Sequence, residues 1–171
     1  MRLIAFIVAL IAAGGPAAAQ NWTEYAYPKD AFTVSFPAKP TVETTTYQTA
    51  DGRMVEARVY SVTNDSGMFR MMVADLKGAA MVENAVLDHA VKTLSEGGEI
   101  KVDIPHRISR VYGRQLSIVG PEGSRSMAAV FYYNRRLYLI EGKALPGGPN
   151  GTADAIRFQQ SLEFTDGGSN R

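Results

Sequence analysis

Apolar and polar residues alternate with a period of two along most of this chain, and two stretches switch to a longer, helical period. Phe32, Val34 and Phe36 alternate with Thr33 and Ser35, which predicts a half-buried strand over 31–36. Pro37 and Pro40 stop it, because proline has no N–H to contribute to a ladder. Ahead of it, 21–27 reads as an opening strand or an aromatic strap closed by Pro28. Strands over 42–48 and 54–62 flank Asp51-Gly52, a pair suited to a two-residue hairpin loop. That loop would place Val42, Thr44 and Thr46 on an inward face with Val55, Ala57 and Val59. Glu43, Thr45, Tyr47, Glu56, Arg58 and Tyr60 would then face water. The turn at 64–67 returns the chain through a strand over 68–76, completing a meander.

From Ala79 to Leu94 the period becomes 3.6: Val82, Ala85, Val86, Ala90 and Leu94 share one stripe, flanked by Leu87 and Val91. The spacing predicts an amphipathic helix over 79–94, supported by an Asp88–Lys92 pair one turn apart and ended at Gly97-Gly98. Alternation resumes at Ile100, Val102 and Ile104, is interrupted by Pro105, and continues as a strand from about 108 to 119 that Gly113 bends. Near the end of the chain, Thr152 is placed to cap a short helix over 152–162 that buries Ala155, Phe158 and Leu162, and Phe164 begins a last short strand.

The strongest pattern lies between, over 126–142. Two runs rich in aromatic and branched residues flank Asn134-Arg135, so a two-residue loop sets Tyr133 opposite Arg136, Phe131 opposite Tyr138 and Ala129 opposite Ile140. Both faces of this hairpin are apolar. It therefore belongs at the centre of a sheet covered on both sides. The expected fold class is α+β: a single antiparallel sheet of about six to eight strands, rich in meanders, with helices packed on both faces.

The start of the chain is set apart from this pattern. Arg2, an apolar run over 3–13 and Ala17-Ala18-Ala19 have the form of a cleaved secretory signal, and the run is shorter than the roughly 20 residues that span a bilayer. The expected organisation is a signal peptide at 1–19, one domain over 20–165 and a flexible tail at 166–171. No stable membrane insertion is expected after cleavage. The chain has no cysteine, which excludes disulfides, thiol catalysis and Cys-type metal sites, and the expected location is periplasmic or secreted. A net charge of +1 gives no footprint for nucleic acid.

Candidate chemistry is sparse. There is no G-x-S-x-G elbow, no histidine pair at metal-binding spacing and no phosphate-binding loop, and no cofactor is implied. His89 lies near the edge of the helical stripe and His106 follows Pro105. A small-ligand protein or hydrolase would have to assemble its site from these distant histidines and the arginines. Arg107, Arg110 and Arg114, with Arg135 and Arg136 later, are the one local excess of a residue type, and Arg makes bidentate contacts with acidic groups. Together with Asn134 they form the candidate contact surface.

Three stretches carry a family resemblance: Tyr27-Pro28 with Ala31-Phe32-x-Val34-x-Phe36-Pro37-x-x-Pro40, the hairpin from Phe131 to Ile140, and Ala155-Ile156-Arg157-Phe158-x-x-Ser161-Leu162. In these the chain resembles the exported bacterial members of the PsbP/Mog1-like group. The resemblance implies an antiparallel sheet between helices and an accessory role exercised by docking onto larger proteins. It carries over no functional residue, since no photosystem-docking or GTPase-binding motif is matched. The expected function is that of an exported, non-enzymatic interaction module with a protein partner.

Overall fold

The hairpin over 126–142 sits near the middle of a seven-stranded antiparallel sheet. The computed structural model describes residues 22–77 and 82–165, so the expected signal peptide, the expected tail and residues 79–81 of the expected helix lie outside the described residues. The chain runs β1 (Thr23–Tyr27), β2 (Phe32–Phe36), β3 (Thr41–Gln48), β4 (Met54–Asn64), β5 (Gly67–Asp75), α1 (Glu83–Ser95), β6 (Glu99–Ile108), β7 (Val111–Val119), β8 (Arg125–Tyr133), β9 (Arg136–Ala144), α2 (Gly151–Gln160) and β10 (Glu163–Phe164). The strand order of the main sheet is β3-β4-β5-β9-β8-β7-β6. β1, β2 and β10 form a separate three-stranded sheet, so the expectation of a single sheet is corrected to two.

Asn134 and Arg135 have φ of 50° and 58°, the paired left-handed conformation of a two-residue hairpin loop, and Tyr133 opposes Arg136 as expected. Along β9, alternate residues enter different cores. Tyr138 and Ile140 join Phe131, Phe69, Phe36 and Phe158, while Leu137 and Leu139 join Val130, Leu116, Val86 and Leu87. Phe158 of α2 and Phe32 and Phe36 of the small sheet belong to the first core, and Val86 and Leu87 of α1 to the second. Each follows from the period-two alternation of a strand buried on both faces.

The Asp51-Gly52 hairpin differs from its expected register by one residue. Thr49 closes the loop by donating its N–H to the Arg53 carbonyl at 2.8 Å and accepting from Gly52 N–H at 2.9 Å, so the loop is Ala50-Asp51-Gly52 and Tyr47 opposes Val55. A slip of one residue exchanges the two faces of a strand. Tyr47, expected on the wet face, now shares a face with Val55 and Ala57 and is buried, and Tyr60, also expected there, is buried in the first core.

Pro105 does not end its strand. β6 is the last strand of the sheet, where a missing N–H on the outer side breaks no ladder, and it runs from 99 to 108 with its irregularity between Ile100 and Val102. Gly113 causes no bend. A Cβ there would lie 2.2 Å from the Val130 carbonyl oxygen and 2.4 Å from the Phe131 ring, so glycine leaves the room that the ring and the neighbouring strand need.

α1 starts at Glu83. Its buried residues are Val86, Leu87, Ala90 and Val91, while Val82 is 72% exposed and Ala85 is also outside the core. At α2 the N-cap is Asn150 with a left-handed φ of 57°, in place of Thr152. No described helix is long and apolar enough to cross a membrane.

Candidate functional site

Two hairpins bring the candidate arginines to one end of the main sheet. Ile108 opposes Val111 across a two-residue turn, Ser109-Arg110, and Gly113 opposes Phe131 on the next strand. Continuing that register sets Val111 level with Tyr133, so Ser109-Arg110 and Asn134-Arg135 project side by side. Arg110 and Arg135 are exposed and form no ion pair among the described residues. Arg107 lies with its guanidinium 5.8 Å from the centre of the Tyr112 ring, and Tyr112 is 62% exposed.

Arg136 and Arg114 are used inside the fold. Arg136 donates from Nη1 to the carbonyl of Lys29 at 2.9 Å, tying the hairpin to the one-turn 3-10 helix Pro28–Asp30. Arg114 donates from Nε to Asp103 Oδ1 at 2.9 Å, pairs a second nitrogen with the same carboxylate, and reaches Asp88 of α1 at 2.5 Å. That contact takes Asp88 away from the Lys92 pairing expected from helical spacing. It leaves Arg107, Arg110, Asn134, Arg135 and part of Arg136 as the grouped set.

Beside this end lies a buried polar cluster that spacing along the chain does not reveal. Asp30 is fully buried. Its carboxylate accepts from Arg58 Nε at 2.8 Å, from a second Arg58 nitrogen and from the Tyr60 hydroxyl, while its backbone carbonyl accepts from the Tyr138 hydroxyl at 2.9 Å. Burial pushes the Asp30 carboxyl up, and the bonds from Arg58 and Tyr60 outweigh it, leaving the group below the usual carboxylate range. Burial, with the Asp30 carboxylate, pushes the Tyr60 hydroxyl up. A cavity of about 420 Å³ adjoins the cluster, lined by Tyr27, Lys29, Arg58 and Tyr60 among others. Since the Asp30 oxygens are already occupied, the cluster fastens the small sheet to the main one.

Across the main sheet, Arg58, Val73, Tyr138, Phe131, Gly113 and His106 stand in one row. His106 therefore faces the first core, its ring 5.7 Å from Phe131, and burial pushes its pKa down. A cavity of about 550 Å³ opens there, between residues 106–109 and the segment from Gln160 to Phe164. His89 is elsewhere: it is on α1, with Nε2 2.9 Å from the Gln48 carbonyl and its ring 5.9 Å from Tyr47, which belongs to the second core. The two histidines are not brought into one site. Among the described residues, no group of three His, Asp or Glu is placed to hold a metal ion.

This is the fold of an antiparallel sheet with two helices and a small accessory sheet, and it is PsbP-like. Cyanobacterial PsbP (CyanoP) from Synechocystis sp. PCC 6803 is similar over 90% of this chain and 98% of its own, with a TM-score of 0.53 at 11% identity. A protein of unknown function from Pseudomonas aeruginosa matches over 79% of this chain and 90% of its own, with a TM-score of 0.39 at 11% identity. At such identities the likeness is one of fold alone. No protein-family model matches the sequence, and no curated protein is similar to it in sequence.

Proposed function

We propose that this protein is an exported, non-enzymatic accessory module that docks onto a larger protein through the basic end of its main sheet. The observation that carries the reading is the side-by-side projection of Arg110 and Arg135 from two hairpin tips, neither paired with a carboxylate among the described residues. Guanidinium groups so held suit carboxylates on a partner. Arg135 also holds a left-handed φ of 58°, where glycine is favoured, so the arginine is kept at some cost in backbone strain. Export follows from the signal-like pattern over 1–19. A helix on each face of the sheet is supported by the alternation of β9, with Leu137 and Leu139 toward α1 and Tyr138 and Ile140 toward α2.

The test places a photo-crosslinking amino acid at Arg135 and, in a second strain, at Glu122, which lies in the turn at the opposite end of the β7 and β8 strands. A discrete protein adduct from position 135 and none from 122 is expected. No adduct from either, or the same adducts from both, overturns the reading.

A further inference from the structure

We propose that the free edge of β3 pairs antiparallel with β3 of a second copy of this chain, joining two main sheets into one across a two-fold axis at Thr44. The inference goes beyond the docking reading and does not rest on it, because β4 and β5 separate β3 from the strands that carry Arg110 and Arg135.

β3 and β6 are the outer strands of the main sheet. Successive residues of a strand turn their main-chain groups to alternate sides. Thr49 donates its N–H to the Arg53 carbonyl at 2.8 Å, so Tyr47, Thr45, Glu43 and Thr41 also turn toward β4, and Val42, Thr44, Thr46 and Gln48 turn outward. The Gln48 carbonyl already meets His89 Nε2 at 2.9 Å. Two residues before Val42 stands Pro40, which has no N–H to offer. The free stretch is therefore Val42, Thr44 and Thr46, closed at either end and centred on Thr44.

That symmetry is what selects a second copy as the occupant. Turned about an axis through Thr44, it sets Thr44 against Thr44 and Val42 against Thr46, and each pair exchanges both main-chain bonds, so none of the three residues keeps an unpaired group. The side chains of Thr41 to Thr46 are exposed on both faces of the strand, which leaves room for another strand alongside. Val42, 53% exposed, comes beside the methyl group of Thr46 of the second copy. Five of the eight residues of β3 are β-branched, and both copies bring them. Glu43 is the one charge of the strand; it faces Thr45 of the second copy and stands diagonal to the other Glu43, roughly 7–8 Å away. The shared area is small, so the dimer is a weak one.

The two edges of the sheet differ in how they are protected. β6 carries Pro105, the irregularity between Ile100 and Val102, and the charges of Lys101 and Asp103, all features that keep edge strands from pairing. β3 pairs with β4 over its whole length without a shift of register, and it has no proline, glycine, lysine or arginine.

The experiment compares the sedimentation of purified wild type and Thr44→Pro at concentrations up to about 1 mM, where weak association shows. Proline at 44 removes an outward N–H and no bond to β4, and the urea midpoint checks that the variant is folded. In a second arm, Thr44→Cys and Lys101→Cys, each the single cysteine of its chain, are treated with a short bis-maleimide. Wild type is expected to dimerise reversibly, Thr44→Pro to associate at least tenfold more weakly with a midpoint close to that of wild type, and position 44 to cross-link two chains where position 101 does not. A wild type that stays monomeric, a folded Thr44→Pro that dimerises equally well, or equal cross-linking from 44 and 101 overturns the edge pairing. If Thr44→Pro unfolds, the cross-linking arm decides. The docking reading stands or falls separately, on the adduct from position 135.

Discussion

Arg58 of β4 grips the carboxylate of Asp30 with two guanidinium nitrogens, and that carboxylate is out of contact with water. The pair joins the main sheet to the turn between β1 and β2, because Asp30 lies in that turn and its carbonyl also receives the Tyr138 hydroxyl. Asp30→Asn keeps the shape and removes the charge. It is expected to cost about 2–4 kcal/mol at pH 7, toward the lower part of the range for breaking a buried ion pair because Arg58 remains partly in water. The folded carboxyl titrates below its ordinary value, so its contribution is complete above about pH 4 and is lost as the pH falls through the lower folded value. Urea midpoints of wild type and variant should stay apart at neutral pH and converge only as the pH falls below about 4.

Gly113 and Phe131 form a second such relationship. A methyl group at 113 meets a backbone carbonyl oxygen at 2.2 Å, which no side-chain rotation relieves. Gly113→Ala should destabilise by about 2 kcal/mol or more by urea denaturation, near the upper part of the range for overpacking. Phe131→Ala, which empties the centre of the first core, should cost about 3–5 kcal/mol.

Gln159 of α2 is fully buried, and neither atom of its amide has a hydrogen-bond partner among the described residues. Replacing an unpaired buried amide by an apolar group of similar length removes a desolvation cost of about 1–3 kcal/mol. Gln159→Met is therefore expected to raise the midpoint of thermal unfolding, read by circular dichroism.

At the hairpin tip, stability and docking should move in opposite directions. Arg135→Gly relieves a left-handed φ and is expected to stabilise the fold by about 0.5–1 kcal/mol, while partner binding weakens. Urea denaturation and a pull-down on the same variant check both halves.

The register of β8 and β9 was legible because Asn134-Arg135 forms the two-residue loop its residues suggest, both at left-handed φ, with Tyr133 opposite Arg136. β3 gave no such guidance. Thr44, Thr45 and Thr46 are alike on either face, so the register rested on the loop alone, and Thr49 and Arg53 lengthen that loop by one residue. The Asp30 cluster is hidden for a different reason: both faces of β4 are covered, where the pattern suggests one wet face for Arg58 and Tyr60, and their partner lies 28 and 30 residues away. Pro105 looks like a break in the local pattern, which does not show that β6 is the last strand of its sheet, where a proline is tolerated. The arginines were countable in sequence. Only strand pairing shows that Arg110 and Arg135 stand together while Arg114 is bound to Asp103 and Asp88.

The central claim is that the basic end of the sheet docks onto an acidic partner. Its most direct test is the affinity of the protein cross-linked at position 135, purified and measured against wild type and the Arg110→Glu, Arg135→Glu double variant by isothermal titration calorimetry. The docking account predicts at least a tenfold loss of affinity in the double variant, a urea midpoint close to that of wild type, and weaker wild-type binding as salt rises from about 50 to 300 mM. Equal affinities for wild type and variant, insensitive to salt, would contradict it.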